Sequence, residues 1–100
     1  MRRKKLRSVE EIIEDFDEHI HRCGGNYSVW YVGITSNPDR SLFDKHSVNR
    51  ERDAWIYYNC GVKRITQQVE EFFLRKGCNS ATDSSDKSGN YVYAYKKSSH

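Results

Sequence analysis

The run Val29-Trp30-Tyr31-Val32-Gly33-Ile34-Thr35 constrains this chain more than any other segment. Nearly every position is apolar or β-branched, so the run reads as a strand covered on both faces. A strand of that kind belongs in a sheet sandwiched between other elements. The chain has 100 residues in which to build this, room for one small domain. Apolar side chains make up 36% of it, so two Trp, seven Tyr and four Phe have to supply much of the buried area. The same aromatic content excludes a wholly disordered chain.

Other elements follow from spacing. Ser8-Val9-Glu10-Glu11 matches a capping box and opens a helix. Val9, Ile12, Ile13, Phe16 and Ile20 then form one stripe, with Glu10, Glu14, Asp17 and Glu18 mostly on a solvated face. Gly24-Gly25 ends that helix. Asn37-Pro38 starts a short helix, anchored by Leu42 and Phe43 and running to about His46. Residues 47–53 are polar and read as a loop. Residues 54–58 read as a second strand and 62–76 as a second long helix, its stripe made of Val62, Ile65, Val69, Phe72 and Phe73. Residues 79–89 hold no large apolar side chain and read as a loop. Tyr91-Val92-Tyr93-Ala94-Tyr95 alternates with period two and closes the chain as a strand. The expected fold is α+β, a three-stranded mixed or antiparallel sheet flanked by helices. One domain spans 8–97, between a basic arm at 1–7 and a tail at 98–100.

Charge is segregated along the chain. Lys and Arg number 17 against 14 Asp and Glu, a formal +3. Arg2, Arg3, Lys4, Lys5 and Arg7 all lie in the arm; removing these five leaves 12 positive against 14 negative, or −2. The body is therefore not the uniformly basic surface of a non-specific DNA coat. Residues 8–18 are acidic and residues 19–79 basic, so a nucleic acid is expected to meet the arm and the central region, Lys45 included. Cys23, Cys60 and Cys78 are odd in number and widely spaced, which argues against a disulfide framework and for a reducing, cytoplasmic setting. No apolar run reaches the ~20 residues of a membrane span, and no apolar stretch follows the basic start as in a secretory signal. His19, His21 and Cys23 lack a second ligand pair at zinc-site spacing.

The stretch from Trp30 to His46 resembles the second signature of the GIY-YIG nuclease superfamily. Tyr31-Val32-Gly33 ends a strand, a polar turn with Thr35 and Asn37 follows, and a helix then carries Arg40 and His46. Downstream, Val69-Glu70-Glu71-Phe72-Phe73-Leu74-Arg75-Lys76 is similar to the family helix that bears a metal-binding glutamate. At about 100° per residue, Glu70 lies roughly 110° from the apolar stripe and Glu71 roughly 150°, so Glu70 is nearer the packed face.

The resemblance implies metal-assisted hydrolysis of DNA phosphodiester bonds, with RNA as an alternative substrate. Glu70 would hold Mg²⁺ or Mn²⁺. Tyr31 would assist the attacking water, a general-base role that needs a depressed pKa. Arg40 and His46 would complete the catalytic set, and Gly33, Thr35 and Asn79 would admit the phosphate. Such a site requires Tyr31 and Glu70 to converge on one concave surface. Two positions depart from the family pattern. No Gly-Ile-Tyr strand lies at hairpin distance ahead of Tyr31; Tyr91, Tyr93 and Tyr95 either supply that tyrosine or simply pack. The usual arginine position is Ser41, with Arg40 one residue early. These departures give the alternative reading: a module of the same fold that binds nucleic acid or a protein without cutting.

Overall fold

The computed structural model describes residues 8–81 and 89–96. The basic arm, most of the polar 79–89 segment and the tail lie outside these residues. Helix α1 spans Val9–Arg22. Its capping box forms: Glu11 N donates to Ser8 Oγ at 3.2 Å and Ser8 N to Glu11 Oε1 at 3.0 Å. Ile12, Phe16 and Ile20 are buried on the predicted stripe. The helix stops where Gly24 and Gly25 take positive φ, +116° and +75°.

Strand β1 is Tyr31–Thr35, shorter than the run that predicts it. The Asn26 side chain accepts from Ser28 N at 3.1 Å and winds Tyr27–Val29 into a 3₁₀ turn. Trp30 is wholly buried just ahead of the strand. After β1 the chain forms a π-helix, Arg40–Lys45, closed by His46 N donating to Ser41 O at 3.0 Å. Asn37 caps this turn as expected, its Oδ1 accepting from Arg40 N at 3.2 Å. Strand β2 is Ala54–Asn59, helix α2 is Lys63–Lys76, and strand β4 is Tyr91–Lys96. Val62, expected on the α2 stripe, precedes the helix in extended backbone and is largely exposed.

The fold class is α+β, but among the described residues the sheet has four strands rather than three; with Asn79–Ser80 as β3, the order is β2-β4-β1-β3. The fourth is β3, Asn79–Ser80, parallel to β1. Its polar pair carries no apolar alternation. Backbone bonds make it a strand: Asn79 N donates to Trp30 O and Ala81 N to Val32 O, each at 2.8 Å. The last strand in sequence lies inside the sheet. β4 runs antiparallel to both β1 and β2, with Tyr31 opposite Tyr95 and Gly33 opposite Tyr93.

Two layers cover the sheet. On one face α1 and α2 pack Ile12, Phe16, Ile20, Val69 and Phe73 against Val32, Val92 and Ala94. On the other, Leu42 of the π-helix and Val48 beyond it pack against Tyr93 and Tyr95. This second layer accounts for the burial of both sets of side chains on β4. Not all acids of α1 are solvated. Asp17 accepts from the Tyr27 hydroxyl and Asp15 from the Tyr58 hydroxyl at 2.6 Å, so two carboxylates tie the helix to its neighbours. The three cysteines are free thiols, and burial pushes Cys60 and Cys78 up to about 11. Among the described residues no helix is long and apolar enough to cross a membrane.

His19 of α1 meets the Trp30 ring edge-on, with ring centroids 5.8 Å apart. Its pKa is lowered from the ordinary 6.5, first by burial and then by the charge of Arg22; the Trp55 backbone opposes this. A depressed folded-state pKa means the unfolded chain binds the proton more readily. The contribution to stability is complete above about pH 6.5 and is lost as the pH falls through the folded value. Urea unfolding at pH 7.5 and 5.5 should therefore show a larger acid loss in the wild type than in His19→Gln. Identical pH slopes would contradict this.

Candidate functional site

Period-two alternation points Tyr31, Gly33 and Thr35 away from α1 and α2, as it does their partners Tyr95, Tyr93 and Tyr91. Antiparallel register sets Tyr31 directly across from Tyr95. Their rings stack with centroids 5.1 Å apart and planes within 8°. His46, at the end of the π-helix, lays its ring over Tyr95 at 5.2 Å. Its Nε2 is 3.2 Å from the Tyr93 hydroxyl, which donates to Ala81 O at 3.1 Å.

Tyr31, Tyr95, His46 and Lys45 line a cleft of about 610 Å³. Ser28 and Val29 of the 3₁₀ turn line it as well. Ser47, in left-handed backbone with φ +55°, also lines the cleft. Tyr95 is 4% exposed, whereas Tyr31 is 37% exposed. Burial pushes the Tyr95 hydroxyl up to about 12, with the Tyr31 hydroxyl adding to the effect. That direction is opposite to the one a tyrosine general base requires.

The other expected site residues fall elsewhere. Glu70 is half-buried on α2, and Glu71 is exposed beside Arg75 at 3.7 Å, in the order the helix angles predict. Glu70 lines a separate cleft of about 330 Å³ with Ile34, Arg64, Gln67 and Glu71. α2 packs on the face opposite Tyr31, so the sheet stands between the two residues. Arg40 is exposed at the start of the π-helix. Ser41, at the usual arginine position, points inward and is 3% exposed, its Oγ 2.6 Å from Thr35 Oγ1. Thr35 is buried and also accepts from Asn37 N at 3.0 Å, so its hydroxyl holds the turn into the π-helix. The space above Gly33 belongs to Tyr93: a Cβ there would lie 2.7 Å from that ring. Asn79 ties β3 to the 3₁₀ turn, its Nδ2 donating to Ser28 O at 2.9 Å. Arg2, Arg3, Lys4, Lys5 and Arg7 lie outside the described residues.

The donor set around Glu70 does not fit a resident Mg²⁺ or Mn²⁺. Hard cations of this kind take several oxygen ligands, and here the carboxylates share their cleft with the cation Arg64. Among the described residues, no three of His, Cys, Asp and Glu are grouped to hold a metal ion. The sequence left Tyr95 as one of three candidates and did not distinguish Ser28, Val29 or Ser47. The alternation at 91–95 shows that three tyrosines share a face; only register selects the one opposite Tyr31.

This is a small α+β domain with an aromatic cleft on one sheet face and a separate carboxylate-bearing cleft on the other. No protein-family model, curated protein or solved structure matches the chain.

Proposed function

We propose that this chain is a GIY-YIG-like module that binds nucleic acid at the Tyr31 face without hydrolysing it. The observation that carries this reading is the pair Tyr31 and Tyr95. They are stacked across antiparallel strands in a cleft that also holds His46 and Lys45, while Glu70 lies beyond the sheet. An aromatic surface with an adjacent cation suits bases and phosphates together. The poor donor set at Glu70 favours binding over hydrolysis. The five cations of the arm supply sequence-independent attraction to phosphate.

A plasmid-nicking assay with Mg²⁺, run beside filter binding, tests the reading with wild type and Glu70→Ala. Both proteins should bind with equal affinity, and neither should nick above the buffer control. Affinity should fall as salt rises and when the arm cations are replaced by alanine. Nicking that the wild type performs and Glu70→Ala loses would establish the hydrolytic reading instead. Salt-independent affinity would also count against the proposal.

A further inference from the structure

We propose that the cleft takes an unpaired base of a single-stranded nucleic acid, stacked on the open side of Tyr31 with a phosphate at Lys45. This rests on the reading that the domain binds nucleic acid, and it names which form and which contact.

Three nearly parallel rings point to it. Tyr93 and Tyr95 lie within 5° of each other with centroids 6.3 Å apart, and Tyr95 and Tyr31 lie within 8° at 5.1 Å. The first two are buried, so the aromatic array reaches solvent at Tyr31. Three large apolar side chains are exposed among the described residues, and two of them, Val29 and Tyr31, line this one cleft. A base offers a flat π-face to Tyr31 and an edge to Val29.

Charge selects the rest of the ligand. Among the described residues the cleft lining contains exposed Lys45 and no carboxylate, which suits a phosphate following the base. A cleft of about 610 Å³ accommodates one nucleotide with its sugar. Bases inside a duplex present only their edges, so stacking on Tyr31 requires an unpaired base. One exposed ring platform implies tolerance of base identity, because every base has a π-face.

Fluorescence anisotropy on the full chain tests this with oligothymidylate, oligouridylate, a duplex of matched length and an abasic strand carrying the same phosphates. Both single strands should bind about tenfold or more tightly than the abasic strand and the duplex. Tyr31→Ala should remove that margin, and Tyr31→Phe should keep it, since the ring and not the hydroxyl makes the contact. Lys45→Ala should lower the slope of log affinity on log salt by about 1 with the preference for bases intact. Tyr31 is exposed, and a thermal melt of each variant checks that it folds. Equal binding of all four ligands, or an undiminished margin in Tyr31→Ala, overturns the base-stacking proposal and leaves nucleic-acid binding standing. Absence of binding to any ligand overturns both.

Discussion

Gly89→Ala is expected to lower stability by about 3 kcal/mol, the upper part of the range for overpacking a tight site. A Cβ at residue 89 would stand 2.2 Å from Thr35 O and 2.5 Å from Ser36 N. Both are backbone atoms, so no side-chain rotation relieves the overlap. Thr35 has little freedom to retreat, because its hydroxyl is bonded to Ser41 and Asn37. Residue 89 is held from the other side as well. Its carbonyl lies 3.3 Å from Thr66 Oγ1 of α2, and the next carbonyl, of Asn90, accepts from Cys60 N at 2.7 Å. For a domain of this size the loss corresponds to a Tm lower by roughly 15 °C. Scanning calorimetry checks it, and a melting temperature within a few degrees of the wild type would refute the close-approach argument.

Phe16→Ala should cost about 4 kcal/mol through lost transfer energy and the cavity left behind. Phe16 has no exposed surface, and its ring meets Phe73 at 5.9 Å and Tyr58 at 5.8 Å. It therefore joins α1 to α2 and to the sheet. Small domains are stable by about 5–15 kcal/mol in total, so this single truncation removes much of the margin. Chemical denaturation of Phe16→Ala and of the exposed control Glu14→Ala makes the comparison. The control should stay within about 0.5 kcal/mol of the wild type. Equal midpoints for the two variants would mean that α1 docks without Phe16.

Both residues show how unevenly the fold is written in the sequence. Phe16 is legible, because a helix places residues three and four apart on one face and the apolar stripe follows that period. Gly89 is not legible. It closes a polar segment and looks like ordinary loop glycine, and only the approach of Thr35, far away in sequence, gives it a purpose. The same contrast separates β4 from β3. Alternation announces the first, whereas Asn79 and Ser80 form a strand because backbone groups of Trp30 and Val32 are there to receive them.

The candidate site follows this division. Strand parity alone places Tyr31 and Gly33 on one face, and helix periodicity alone ranks Glu70 above Glu71 for closeness to the packed side. Which face of the sheet α2 covers depends on the path of the whole chain, and that path puts Glu70 and Tyr31 on opposite sides. Gly33 illustrates the limit most directly. A glycine in a strand signals that something approaches closely, but the sequence does not say what. The register of β1 on β4 decides that it is the Tyr93 ring.

By itself, the sequence determined what depends on near neighbours: helix and strand periods, the capping box, the Asn37 cap and the glycine stop after α1. The tertiary structure alone decided the strand order, the inner place of the last strand, the burial of Ser41 and the stacking of Tyr31 on Tyr95. The physical reason is the range of the forces involved. Propensity and capping act across three or four residues, and their consequences are local. Pairing and layer packing join residues dozens of positions apart, and they are selected by the free energy of the assembled core.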